Sequence, residues 1–199
     1  MRISRPIRRP LHDFAQNDLP ATAYPARKLW RLHEKGLRAI NFSLNPEHRF
    51  SHGDCPCKVL YLGEAFTTCI WERFGDDILN AGSPVSLKLW TTRSISQVDV
   101  PDLKLCDLTD ETTASRAKVD FSALTSADLT VPQGWGLSIQ RHAAQFDGLR
   151  YLSRFDRKPC IALFERTGIA AKLSETAFGD LPDSSDGDDF LTQHRITLI

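Results

Sequence analysis

Three separated segments carry side chains that packing alone does not require. They are His48-Arg49-Phe50, the stretch from Tyr61 to Glu72, and Arg150-Tyr151-Leu152-Ser153-Arg154. Guanidinium groups contact phosphate oxygens in a bidentate fork. A fixed carboxylate stabilises a carbon on which positive charge develops. A tyrosine and a serine can orient a ring or a sugar hydroxyl. Arginines, a tyrosine, a carboxylate and a serine together suit an anionic substrate with a breakable bond, which is the chemistry of a nucleotide site. Taken singly, each has a plainer reading. Arg49 caps a turn, Glu72 sits on a helix surface, Tyr61 is a core aromatic with its hydroxyl satisfied, and Ser153 carries no signal.

The elements that must position them read as follows. Lys28 to Leu32 alternates as a short strand, and Phe42 to Asp54 is a loop punctuated by Asn45-Pro46 and Gly53. Val59 to Leu62 is a buried strand ended by Gly63. Glu64 to Leu79 is a helix with Ala65, Cys69, Glu72 and Asp76 on one face and Phe66, Ile70 and Phe74 as an apolar stripe beside it. That places Glu72 at the border of the buried side, where a carboxylate needs partners. Gly82-Ser83-Pro84 is a turn, and the alternation from Val85 to Trp90 predicts a strand. Gln97 to Val100 and Lys104 to Leu108 are strands broken at Pro101-Asp102. Asp110 to Thr130 is polar, with room for a short helix. Leu137 to Phe146 reads as a helix after the break at Pro132 to Gly136, and Leu149 to Leu152 and Cys160 to Phe164 as strands. Asp180 to Asp189 is expected to be a solvated acidic loop, and Arg195 to Leu198 a last strand. Several short strands with few helices between them give an α+β class.

Composition narrows the function classes. At 199 residues the chain holds one core-bearing domain or two small ones. Lysine plus arginine and aspartate plus glutamate number 25 each, so no net field draws nucleic acid or a membrane surface. No apolar run approaches the length of a bilayer span, about 20 residues. Arg2, Arg5, Arg8 and Arg9 lead into no apolar stretch, so the start is read as a solvated arm and not a secretory signal. Five cysteines, an odd number, point to free thiols in a cytoplasmic setting. Cys55-Pro56-Cys57 with His52 lacks the spacing and the second ligand pair of a zinc site, so no metal is expected.

In their order and context these segments resemble the RES-domain family, the toxin component of a bacterial toxin–antitoxin system. Trp30-Arg31 looks like the family's opening aromatic–arginine strand. His48-Arg49-Phe50-Ser51 stands where the family has a Gly-Arg-Phe-Asn type segment. Val59 to Leu62 with Glu72 resembles its strand, tyrosine, helix, glutamate unit. Asp147 to Arg154 followed by Ala162-Leu163-Phe164 looks like its serine-bearing strand pair. His48 replaces a glycine, Ser51 an asparagine, and Leu152 a common proline.

The resemblance implies a loose arm over 1–24 and a RES domain over 25–199. Its fold would be a single α+β domain with a split β-sheet core like that of ADP-ribosyltransferase toxins. It implies catalytic roles for Arg49, Glu72 and Ser153, and substrate binding by Arg31, Tyr61, Arg150 and Arg154. The implied activity is cleavage of NAD at the nicotinamide–ribose bond, as a phosphorylase or glycohydrolase, arresting growth by NAD depletion. ADP-ribosyl transfer to a protein and a non-catalytic nucleotide- or partner-binding module are the alternatives. No resident cofactor is implied, because NAD is the substrate and phosphate a candidate co-substrate. The implied partner is a helix-turn-helix antitoxin of the Xre type, with no direct nucleic-acid or membrane binding; a homodimer is left open.

Overall fold

The computed structural model of the chain describes residues 9–10, 13–79 and 84–199. The arginines before residue 9 and most of the expected turn at Gly82-Ser83-Pro84 lie outside those residues. Eight strands form one sheet: β1 (Thr22–Tyr24), β2 (Arg27–Glu34), β3 (Val59–Gly63), β4 (Arg93–Val100), β5 (Leu103–Asp107), β6 (Gly148–Leu152), β7 (Pro159–Phe164) and β8 (Ser174–Asp180). Their spatial order is β1-β5-β6-β7-β3-β2-β4-β8, antiparallel except for the β5–β6 pair. The sheet is nearly two sheets. β2 pairs along its whole length with β4, but meets β3 only where Trp30 faces Gly63. The α+β class and the split core are as the sequence implies.

The run Val59 to Leu62 is apolar throughout because β3 is covered on both faces. Val59 and Tyr61 face a core built with Trp135, Ile139 and Phe146. Leu60 and Leu62 face another built with Phe42, Ile161, Leu163 and Ile169. A third core lies over the β2–β4 half. There the helix α1 (Phe66–Leu79) buries Phe66, Ile70 and Phe74 against Trp90, Ile95 and Phe190. These three α1 residues are the stripe that the helical spacing predicts. The remaining helices are α2 (Leu87–Thr91), α3 (Glu111–Ala117), α4 (Phe121–Leu124), α5 (Thr130–Gln140) and α6 (Ser185–His194). Among the described residues no helix is long and apolar enough to cross a membrane.

Several expectations are overturned locally. Val85 to Trp90 is not a strand, because Ser86 caps a helix, its hydroxyl accepting from the Leu89 N–H, while Trp90 turns into the core. Six alternating residues fit a single helical turn as well as a strand. The acidic segment is not a loop. Ser184 caps α6, Asp186 and Asp188 sit in its first turn beside the positive end of its dipole, and Phe190 is buried. The chain's end contributes only a bridge from Leu198 to Val85. The N-terminal segment is not loose from Asp13 onward. Phe14 and Leu19 are buried, and β1 pairs with β5. Finally, α5 begins at Thr130 and not after Gly136. A Cβ on Gly136 would come within 2.5 Å of the Phe50 carbonyl oxygen, so this glycine lets the helix lie directly on the segment that carries Arg49.

Candidate functional site

A cleft of about 870 Å³ is lined by residues from both sides of the break between β2 and β3. β2 supplies Arg31 and β3 supplies Tyr61. α1 contributes Cys69, Glu72 and Asp76, a face with the spacing the sequence shows. The loop before β3 brings His48 and Arg49; Tyr151 comes from β6 and Arg154 from the turn after it. Thus Arg31, Arg49, Tyr61, Glu72 and Arg154, all selected from sequence, meet in one cavity.

Glu72 is open to solvent on the cleft side, as a ligand-contacting group must be, and lies at the border of the buried side, as its place on α1 predicts. It nevertheless sits deep among protein atoms. That crowding raises its carboxyl pKa above the ordinary value; a hydrogen bond from Ser153, the charge of Arg49 and the Tyr151 hydroxyl pull it back. The Tyr151 hydroxyl donates to Glu72 Oε2 at 3.3 Å. Ser153 does not reach the cleft itself. It is fully buried behind Glu72, and its Oγ also accepts from the Phe155 N–H at 3.2 Å. Its place is that of a positioning group for the carboxylate.

The two arginines nearest Tyr61 and Glu72 are held by backbone and not by acids. Arg31 Nη1 donates to the Tyr61 carbonyl at 2.6 Å, and its Nε–H is buried without an acceptor among the described residues. Arg49 Nη1 donates to the carbonyls of Leu124 at 3.2 Å and Ser126 at 2.9 Å. Burial lowers the pKa of both, and Arg154 acts in the same direction on Arg49. Arg154 pairs with Asp76 at the rim. Tyr61 is fixed through its hydroxyl and its ring. Its hydroxyl accepts from the Phe50 N–H at 2.9 Å and lies 3.3 Å from Ser51 Oγ, while its ring and that of His48 meet in a T-shaped contact at a centroid distance of 5.3 Å. Burial pushes its phenol up to about 12, so it is a neutral donor and packing surface at physiological pH.

Arg150 is not brought to the cleft. Successive residues of a strand point to opposite faces, so β6 directs Tyr151 to Glu72 and Arg150 away from it. Arg150 Nε donates to Glu64 Oε1 at 2.7 Å and Nη1 to Asp107 Oδ2 at 3.0 Å, with the Tyr24 hydroxyl donating to the same Glu64 oxygen at 3.1 Å. This network ties β1, β5 and β6 to the end of β3. Arg150→Ala strands two carboxylates and is expected to destabilise the fold by roughly 3 kcal/mol, the low end for breaking a buried pair, because the side chain is 23% exposed. An unchanged urea midpoint would remove the network from the stability account.

Sequence reasoning missed Tyr151, Arg73 and Arg93, which also line the cleft. The strand alternation that turns Arg150 away is the signal that points to Tyr151. Arg93 had none, because the start of β4 was not recognised.

A family model described as the RES domain matches residues 28–183. The chain belongs to the RES-domain family. Among solved structures, the RES domain described here is similar to a chain of the crystal structure of the M. tuberculosis MbcT-MbcA toxin-antitoxin complex. The TM-score is 0.58 at 16% identity, covering 79% of this chain and 87% of that one. At that identity the likeness is one of fold. Comparison with curated proteins gives no match.

Proposed function

We propose that this RES domain is the toxin of a toxin–antitoxin pair and that its cleft cleaves NAD at the nicotinamide–ribose bond. The observation that carries the reading is the meeting of Glu72 and Arg49 in one cavity, with Glu72 held by Tyr151 and Ser153. Nicotinamide in NAD is a cationic pyridinium. The ribose C1–nitrogen bond breaks with its electron pair going to nitrogen, so nicotinamide leaves neutral without an acid catalyst. Positive charge builds on the ribose, and the Glu72 carboxylate stabilises it. Arg49 and Arg31 bind the pyrophosphate, and the fixed Tyr61 holds the nicotinamide–ribose end in a reactive conformer. A new bond then forms from C1 to an acceptor oxygen. Water gives ADP-ribose and a proton; phosphate gives the 1-phosphate of ADP-ribose.

The partner proposed is an antitoxin, of the helix-turn-helix Xre type; that the structural neighbour is a toxin in a toxin–antitoxin complex supports an antitoxin partner in general and says nothing of its type. Incubating the protein with NAD labelled in its adenylate half, with and without phosphate, tests the reaction. Small labelled products are expected, their identity naming the acceptor. Label recovered in a macromolecule would replace NAD degradation by protein ADP-ribosylation.

Ser153→Ala separates positioning from contact. Loss of a hydrogen bond to a charged group costs about 1.5–3 kcal/mol, so kcat is expected to fall about ten- to a hundredfold. Because that bond favours the ionised Glu72, its loss raises the carboxyl pKa further. The acidic limb of the kcat/KM profile therefore moves to higher pH. An unmoved limb would mean that Ser153 does not act through Glu72.

A further inference from the structure

Two arginines of the cleft stand apart from the Glu72 group. Arg73, on the exposed side of α1, and Arg93, at the start of β4, both line it. Among the described residues neither forms an ion pair. Arg73 lies over the ring of Phe74 at 5.2 Å, and among the described residues the buried Arg93 Nε–H has no acceptor. Burial and then the charge of Arg73 lower the Arg93 pKa. Glu34, opposite Arg93 in the ladder, works the other way but makes no ion pair with it. The groups that act on Glu72 are different ones: Ser153, Arg49, Tyr151 and Asp156. One cavity thus holds two positive centres, and the second keeps like charges together with an orphaned donor between protein walls. Such an arrangement costs stability unless an anion completes it.

We propose that Arg73 and Arg93 form a subsite for a phosphate dianion, separate from the contacts of Arg49 and Arg31. The proposal rests on reading the cleft as a dinucleotide site. Two guanidinium groups offer the forked donors that a dianionic phosphate accepts, and Arg93 Nε–H gains its missing partner. An arginine that receives a ribose 2′-phosphate is a known device for telling the phosphorylated dinucleotide from the plain one. The same dianion is also available as free inorganic phosphate.

The test compares wild type, Arg73→Gln and Arg93→Gln, each checked for folding by circular dichroism. Arg73 is exposed, so its variant reports even if the half-buried Arg93 proves necessary for the fold. kcat/KM is measured for NAD and NADP without phosphate, and for NAD across a phosphate titration. A fall of at least tenfold in the NADP-to-NAD ratio supports the subsite and places the dianion on the substrate. A rise of at least tenfold in the phosphate needed for half-maximal rate supports it and makes the dianion free phosphate. If wild type consumes NAD and neither quantity moves in the variants, the subsite is overturned while the dinucleotide reading stands. If wild type consumes neither dinucleotide, both fall together.

Discussion

Glu72→Gln is expected to lower kcat for nicotinamide release by about 10²–10³-fold, the loss of about 2.7–4 kcal/mol that follows removal of one preorganised electrostatic group. Glutamine keeps the shape and can still accept from the Tyr151 hydroxyl, but it carries no charge to oppose the developing cation. The fold should not suffer. The Glu72 pKa is raised in the folded state, so its contribution to stability is present below the unfolded pKa and is lost as pH rises through the folded one. At neutral pH the native carboxylate is therefore a cost to folding, and the amide is expected to hold or raise the melting temperature. The same shift places the acidic limb of wild-type kcat/KM above the ordinary glutamate value of about 4.3. Activity should climb with pH through that limb and flatten once Glu72 is ionised. A variant that turns over like wild type would remove Glu72 from this role, and one that no longer folds would contradict the stability expectation.

Arg49→Ala carries the second large effect, and it falls on binding. A guanidinium making two charge-assisted bonds to pyrophosphate is worth roughly 3 kcal/mol, about a hundredfold in kcat/KM, and the loss should sit mainly in KM. The variant also frees the carbonyls of Leu124 and Ser126, which now accept from Arg49. A modest loss of stability, about 1–2 kcal/mol, should accompany the kinetic change. Arg49→Lys discriminates between the two. It keeps the charge but not the fork, so it should recover little of the affinity. A KM for NAD unchanged in Arg49→Ala would contradict the assignment.

What the sequence made visible follows physical lines. β3 was readable because a strand covered on both faces must be apolar along its length, and α1 because Phe66, Ile70 and Phe74 keep helical spacing. Five of the seven chosen site residues meet in the cleft, and Ser153 stands directly behind it. Their convergence has no local signature. Arg49 and Glu72 lie on a loop and a helix joined through β3, and only the family resemblance brought them together in advance. Arg150 was misplaced because the alternation of its own strand was not applied to it. The cap at Ser86 outweighed a six-residue alternation, and α6 lay hidden in an acidic segment whose charges belong to a helix N-terminus. β8 left no pattern because it is an edge strand with mostly exposed side chains.

The most direct measurement is a crystal structure of the Glu72→Gln protein soaked with NAD. The dinucleotide should occupy the cleft uncleaved, its pyrophosphate on Arg49 and its nicotinamide ribose within hydrogen-bond reach of residue 72. NAD bound elsewhere on the molecule, or lying in the cleft with that ribose turned away from residue 72, would contradict the account.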